Sequence, residues 1–154
     1  MNESIKIMGN VKLTHFDKDR NILSIDEGKN MVVNKGKEFI AKIINGVSTN
    51  AFKYIEVGTG ATAPAEGNTA LQTPVTSPSG MAIQLATCEY VTDYKARLSA
   101  TFTNNGGASI SLTESGVFDA NSSGNMLCRK TFGSKTLNVG ESLLIQWTIT
   151  VSSS

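Results

Sequence analysis

Hydrophobic and polar residues alternate with a period of two over most of this chain, the pattern of strands with one buried face. Ile5, Ile7, Val11 and Leu13 alternate with polar residues, Asp17-Lys18-Asp19-Arg20-Asn21 breaks the run, and Ile22-Leu23-Ser24-Ile25 resumes it. This predicts an N-terminal β-hairpin or arm over about residues 1–28, with a bulge at Gly9 and a polar turn. Met31-Val32-Val33 supplies a short further strand. Between Gly36 and Asn45 the period changes, with Phe39, Ile40, Ile43 and Ile44 on one helical face and Asn45-Gly46 as a stop signal. One short helix over about 36–45 is therefore expected to pack on a sheet.

Strand patterns follow from Phe52 to Val57, Met81 to Tyr90, Lys95 to Thr103, Ala108 to Leu112, Glu114 to Asp119, Met126 to Phe132 and Ser142 to Val151. Asn104-Asn105-Gly106-Gly107 reads as a turn using the positive φ that Asn and Gly tolerate. The last strand places Leu143, Ile145, Trp147, Ile149 and Val151 on one face. Many short strands and one helix predict a mainly β fold, an antiparallel β-sandwich or jelly roll over 29–154, forming one structural unit with the hairpin.

One stretch departs from the alternation. Tyr54-Ile55-Glu56-Val57 ends in Gly58-Thr59-Gly60-Ala61-Thr62-Ala63-Pro64-Ala65, and no helix-forming sequence follows. A phosphate-binding glycine loop opens a helix, and a P-loop also carries Lys before Ser/Thr. Ala61 to Gly80 instead holds all three prolines and no basic residue, which excludes the nucleotide reading. The segment reads as a long surface loop, with Thr59, Gly60, Thr62, Pro64, Pro74 and Pro78 as candidate protein-contact residues. Asp17, Lys18, Asp19 and Arg20 form a second candidate contact element at the hairpin tip.

A chain of 154 residues is long enough to bury about 70% of its unfolded surface without a disulfide or metal. Lys+Arg 14 against Asp+Glu 13 gives a net charge of +1, which offers no footprint for nucleic acid or an anionic membrane. No apolar run reaches the length of a membrane-spanning helix, and the N-terminus lacks the pattern of a secretory signal. Cys88 and Cys128 are expected as reduced, partly buried thiols in a protein folded in a cytoplasm.

Candidate chemistry fails on spacing. Asp17-Lys18-Asp19-Arg20-Asn21 starts like an EF-hand loop, but Ile22 stands where the turn needs Gly, and Gly28 where a bidentate Glu is needed. His15, the single histidine, has no nucleophile elbow and reads as a strand-end surface residue. Glu56, Glu114 and Asp119 could form a glycosidase-like carboxylate pair only across a cleft for which the sequence gives no sign, and Glu114 beside Ser115-Gly116 reads instead as a cap or brace of a strand junction. Trp147 reads as core, and a carbohydrate platform would require Phe52, Tyr54, Tyr90 or Tyr94 to be exposed. No catalytic, metal-binding or cofactor-binding residue is expected.

The order of motifs carries a resemblance. Asn30-Met31-Val32-Val33-Asn34-Lys35-Gly36, Ile55-Glu56-Val57-Gly58-Thr59-Gly60-Ala61-Thr62-Ala63-Pro64-Ala65, Asn68-Thr69-Ala70-Leu71, Leu112-Thr113-Glu114-Ser115-Gly116-Val117-Phe118-Asp119-Ala120, Met126-Leu127-Cys128-Arg129 and the last strand together resemble a family of small virion proteins of tailed bacteriophages. The likeness runs from about Lys29 to the C-terminus. It implies a non-enzymatic virion component, foremost a capsid decoration (cement) protein that binds the major capsid protein as a homo-oligomer, dimer or trimer. The implied location is the capsid exterior, after synthesis in the host bacterial cytoplasm. The alternatives are a tail, neck, baseplate or fibre-base adaptor, and a carbohydrate-binding attachment module on the virion.

Overall fold

The structure, a computed structural model, describes residues 3–153. Among the described residues, β1 (Ile5–Phe16), β2 (Ile22–Lys29), β3 (Met31–Val32), α1 (Asn34–Ile44), β4 (Tyr54–Gly58), β5 (Gln84–Leu85), β6 (Thr87–Val91), β7 (Lys95–Thr103), β8 (Ile110–Phe118), β9 (Met126–Leu137) and β10 (Ser142–Ser153) follow one another. The strands form two five-stranded antiparallel sheets, ordered β2-β1-β10-β7-β6 and β3-β9-β8-β4-β5. The chain is thus the mainly β sandwich with one helix that the alternation predicts.

The two sheets bury one continuous core. Val11, Leu13, Leu98, Phe102, Leu143, Ile145 and Trp147 from the first sheet meet Ile55, Val57, Leu112, Val117, Leu127 and Cys128 from the second. Each large apolar side chain removed from water here contributes about 1.5–3 kcal/mol. Trp147 is fully buried. The first hairpin is built into this sandwich, because β1 pairs with β10 from Ile5↔Ser153 to Phe16↔Ser142.

Several local expectations change. Gly9 lies in unbroken register opposite Ile149, and the irregularity falls at His15/Phe16. Gly9 is needed for another reason: the Asn30 amide occupies the space of a Cβ there, 1.8 Å from its ideal position. The run Met81 to Tyr90 divides, through a 3-10 turn at Ser79–Met81, into β5 of the second sheet and β6 of the first. The turn at 104–107 contains no positive φ. Its shape comes from Asn104, whose buried amide donates to the Ala108 and Leu137 carbonyls and accepts from the Gly106 N–H.

The helix packs through its first half only. Gly36 lies so close to Leu127 that a Cβ would meet the Leu127 carbonyl oxygen at 2.3 Å. Phe39 and Ile40 are half-buried, with Lys42 and Lys35 over the Phe39 ring, whereas Ile43, Ile44 and Val47 remain exposed. The apolar stripe therefore outruns the sheet that it packs on.

Candidate functional site

Side chains alternate across a strand, so Glu114, Gly116 and Phe118 of β8 point away from the main core while Ser115 and Val117 face the opposite side. The outward row is nonetheless covered. The segment from Thr59 to Val75 folds over it, and Leu71 packs with Val33, Phe118 and Met126 in a second small core. The loop is an additional layer on the second sheet.

A buried ion pair holds it there. Glu114 is fully buried and Arg129 is 2% exposed, with Arg129 Nη2 2.8 Å from Glu114 Oε2. Glu114 Oε1 accepts from the backbone N–H of Gly60 at 3.0 Å and of Thr73 at 2.8 Å, and Oε2 accepts from the Gln72 N–H at 3.1 Å and from Arg129 Nε at 3.0 Å. Arg129 extends the grip, donating from Nη2 to the Thr62 carbonyl and from Nη1 to Asn68 Oδ1. Asn68 Oδ1 also accepts from the Ala65 N–H, and Gln72 Oε1 accepts from the Thr62 N–H. Both ends of the loop and its tip thus converge on two side chains.

This geometry explains the glycines. A Cβ on Gly58 would sit 2.5 Å from Glu114 Oε1 and 2.6 Å from the Thr73 carbonyl, and one on Gly60 would sit 2.5 Å from the same carboxylate. The Gly-Thr-Gly segment does cradle an anion, one supplied by the chain itself. Burial alone would push the Glu114 carboxyl up; the N–H groups of Thr73 and Gln72, the Arg129 guanidinium and the Gly60 N–H outweigh it and hold the group below the usual range. Glu56, half-buried on the same face, is pushed up by burial first and by the Glu114 charge second.

The contact residues read from sequence fall in two places. Thr59, Thr62 and Pro74 are exposed on the loop, Pro64 is half-buried, and Gly60 is buried against Glu114. Pro78 lies near Gly106 at the end of the sandwich, where Gly140 approaches Lys18. The structure therefore places Pro78 and the hairpin tip at one end, and the rest of the loop over the second sheet. At the tip, Lys18, Asp19 and Arg20 are exposed, while Asp17 Oδ1 accepts from the Asp19 and Asn21 N–H groups and closes the turn.

The tested chemistry is otherwise engaged. His15 is 11% exposed in its side chain, less than a surface position implies, and its Nε2 lies 2.9 Å from Glu141 Oε2. Asp119 accepts from the Asn125 N–H and amide and fastens the 119–125 turn. Glu114 has both oxygens occupied under the loop, so it is built to stay ionised and to hold backbone. Cys128 is in the core, where burial pushes its thiol well up, whereas Cys88 is exposed on β6 rather than partly buried. Among the described residues, no group of three or more His, Cys, Asp or Glu side chains is placed to hold a metal ion, and no helix is long and apolar enough to cross a membrane. Of the aromatic candidates, Tyr54 and Phe52 are half-buried, and Tyr90 and Tyr94 are exposed.

Sequence reasoning missed Arg129; it read Glu114 as a brace at a strand junction, whereas what the carboxylate braces is the backbone of the loop at Gly60, Gln72 and Thr73. The available signal was an acid inside the apolar and small-residue run Leu112 to Phe118, and a base, Arg129, directly after the apolar Met126 to Cys128 at the start of the next strand. No protein-family model matches the chain, and no curated protein matches it.

Proposed function

We propose that this chain is a non-enzymatic structural component of a tailed-bacteriophage virion, a capsid decoration protein of jelly-roll type that binds the assembled major capsid protein shell from outside and stabilises it as a homo-oligomer. The observation that carries the reading is the loop over the second sheet. A buried carboxylate, a buried guanidinium and two obligatory glycines hold a segment with no charged side chain at its exposed Thr59, Thr62 and Pro74 positions. The outward product of that construction is a shaped surface, uncharged at Thr59, Thr62 and Pro74, with one exposed acid, Glu66, 3.6 Å from Lys37 of the helix.

Such a surface suits docking on a repetitive shell. Its side chains lose little freedom on binding, and many weak contacts on one particle add through multivalency. The uncharged half of edge strand β2, with Ile22, Leu23 and Ile25 exposed, offers a second apolar contact for neighbouring copies or capsomers. The order of sequence motifs supports the same assignment through its resemblance to small virion proteins.

The test is attachment. Purified chain is added to particles of the encoding phage produced without it, and bound copies are counted. Saturable binding to heads, reduced by the double substitution Thr59→Arg and Thr62→Arg but not by a change in fold, is the expected result. Particles that bind no copies, or bind them only on tails, would overturn the assignment.

A further inference from the structure

At the end of the sandwich opposite the hairpin tip, the first sheet continues past its neighbour. Ile149 and Val151 of β10 point to the same side as the buried Ile145 and Trp147, yet Val151 is 44% exposed. With Ile5, Ala96, Tyr90 and Tyr94 they line a groove of about 990 Å³. Tyr90 also borders a second depression of about 310 Å³ floored by Phe52 and Leu98, so the two run along the inner side of edge strand β6 with that ring between them.

We propose that this groove binds a neutral oligosaccharide. Tyr90 is 74% exposed and Tyr94 is 73% exposed, although a tyrosine that served only packing would be covered. Tyr94 and its neighbour Asp93 have φ of 63° and 61°, a left-handed conformation unfavourable for a bulky residue. The Tyr94 carbonyl accepts from the Val151 N–H at 3.0 Å, which fixes the hairpin that carries the ring against β10. The ring is therefore held out at the groove by a strained, anchored turn.

The lining selects the ligand chemistry. Apolar side chains and the two tyrosines line it together with Ser4, Ser152 and Ser153, one acid, Glu3, and one base, Lys95. A lining with opposite charges in equal number attracts neither anions nor cations as a class. Sugar rings match it, with C–H faces for the tyrosines and hydroxyl edges for the polar groups. The adjoining depression, which Tyr90 also borders, leaves room for a chain of rings.

Amide resonances of the isotope-labelled full chain, titrated with maltohexaose, cellohexaose and chitohexaose, test the assignment. At least one probe should shift the amides of 90–96 and 149–153 saturably, and Tyr90→Ala should weaken that binding about tenfold. Tyr94→Gly should weaken it similarly while leaving the thermal midpoint unchanged or higher, since glycine adopts the same φ without strain. Tyr94→Phe should retain binding. No shift with any of the three probes, or equal binding by both ring-deletion variants, would overturn the proposal. So would the same amides shifting on raising the protein concentration alone, which would identify a second copy as the occupant.

Discussion

Glu114 Oε2 and Arg129 Nη2 lie 2.8 Å apart with almost no exposure, and the loop from Thr59 to Val75 is arranged around that pair. The pair does not simply add stability, since desolvating two charges offsets much of their attraction. Its consequence is directional. A buried carboxylate that accepts from Gly60, Gln72 and Thr73 fixes where the loop backbone runs, and a guanidinium that reaches the Thr62 carbonyl and Asn68 fixes its tip.

Removing one partner is therefore expected to be severe. Glu114→Ala leaves Arg129 uncompensated and three backbone N–H groups without an acceptor, and should cost about 3–5 kcal/mol in urea unfolding. Arg129→Met should fall in the same range, and the double variant should cost clearly less than the sum. Additive losses in that cycle would mean that the two side chains act independently.

The glycines separate by position. Gly58→Ala forces a Cβ against the carboxylate and the Thr73 carbonyl, Gly60→Ala forces one against the carboxylate and the Gln72 side chain, and each should destabilise by about 1–3 kcal/mol. Gly67, in the same loop, has nothing within 4 Å of the corresponding position, so Gly67→Ala should be neutral or stabilise by up to about 1 kcal/mol. Equal losses at all three positions would contradict the cradle.

Much of the fold can be read from the chain because the sheets obey simple alternation. Leu143, Ile145, Trp147 and Ile149 are buried as their period requires, and the Asp17–Asn21 turn forms where the polar run sits. Side-chain hydrogen bonds account for what the pattern hides. Asn104 shapes its turn through bonds to residues as distant as Leu137, and Glu114 organises a loop that starts more than fifty residues earlier, with neither link visible as a period. The loop itself was legible as a surface element, but its attachment was not. Leu71 and Val75 are buried beneath it, so deleting 61–78 would remove core as well as surface.

Strong acid should loosen the loop. Because the Glu114 carboxyl is held below its usual value of 4.5, the stability it contributes is complete above that pH and is lost as pH falls through the lowered folded value. Glu56 has the opposite sign: its folded value is raised, so its ionised form opposes folding, and that penalty grows as pH rises through the raised value. Glu56→Gln should accordingly raise the urea midpoint at pH 7 and change it little near pH 3. Hydrogen exchange of the Gly60, Gln72 and Thr73 amides across this range checks the first statement, and unfolding curves of the variant check the second.

The exposed end of the helix should be dispensable for folding. Ile44 and Val47 are 78% and 72% exposed, so Ile44→Lys and Val47→Lys should change stability by no more than about 0.5 kcal/mol. A larger loss, measured by thermal unfolding of the isolated protein, would mean that this apolar end is covered in the folded chain.

The most direct test of the proposed role is a reconstruction of the intact virion at a resolution that traces this chain. Copies spread over the whole shell in a fixed ratio to the major capsid protein, with the Thr59–Pro74 surface against the capsomers, are the predicted result. Copies confined to the tail or to a single vertex, or no copies on the particle, would contradict it.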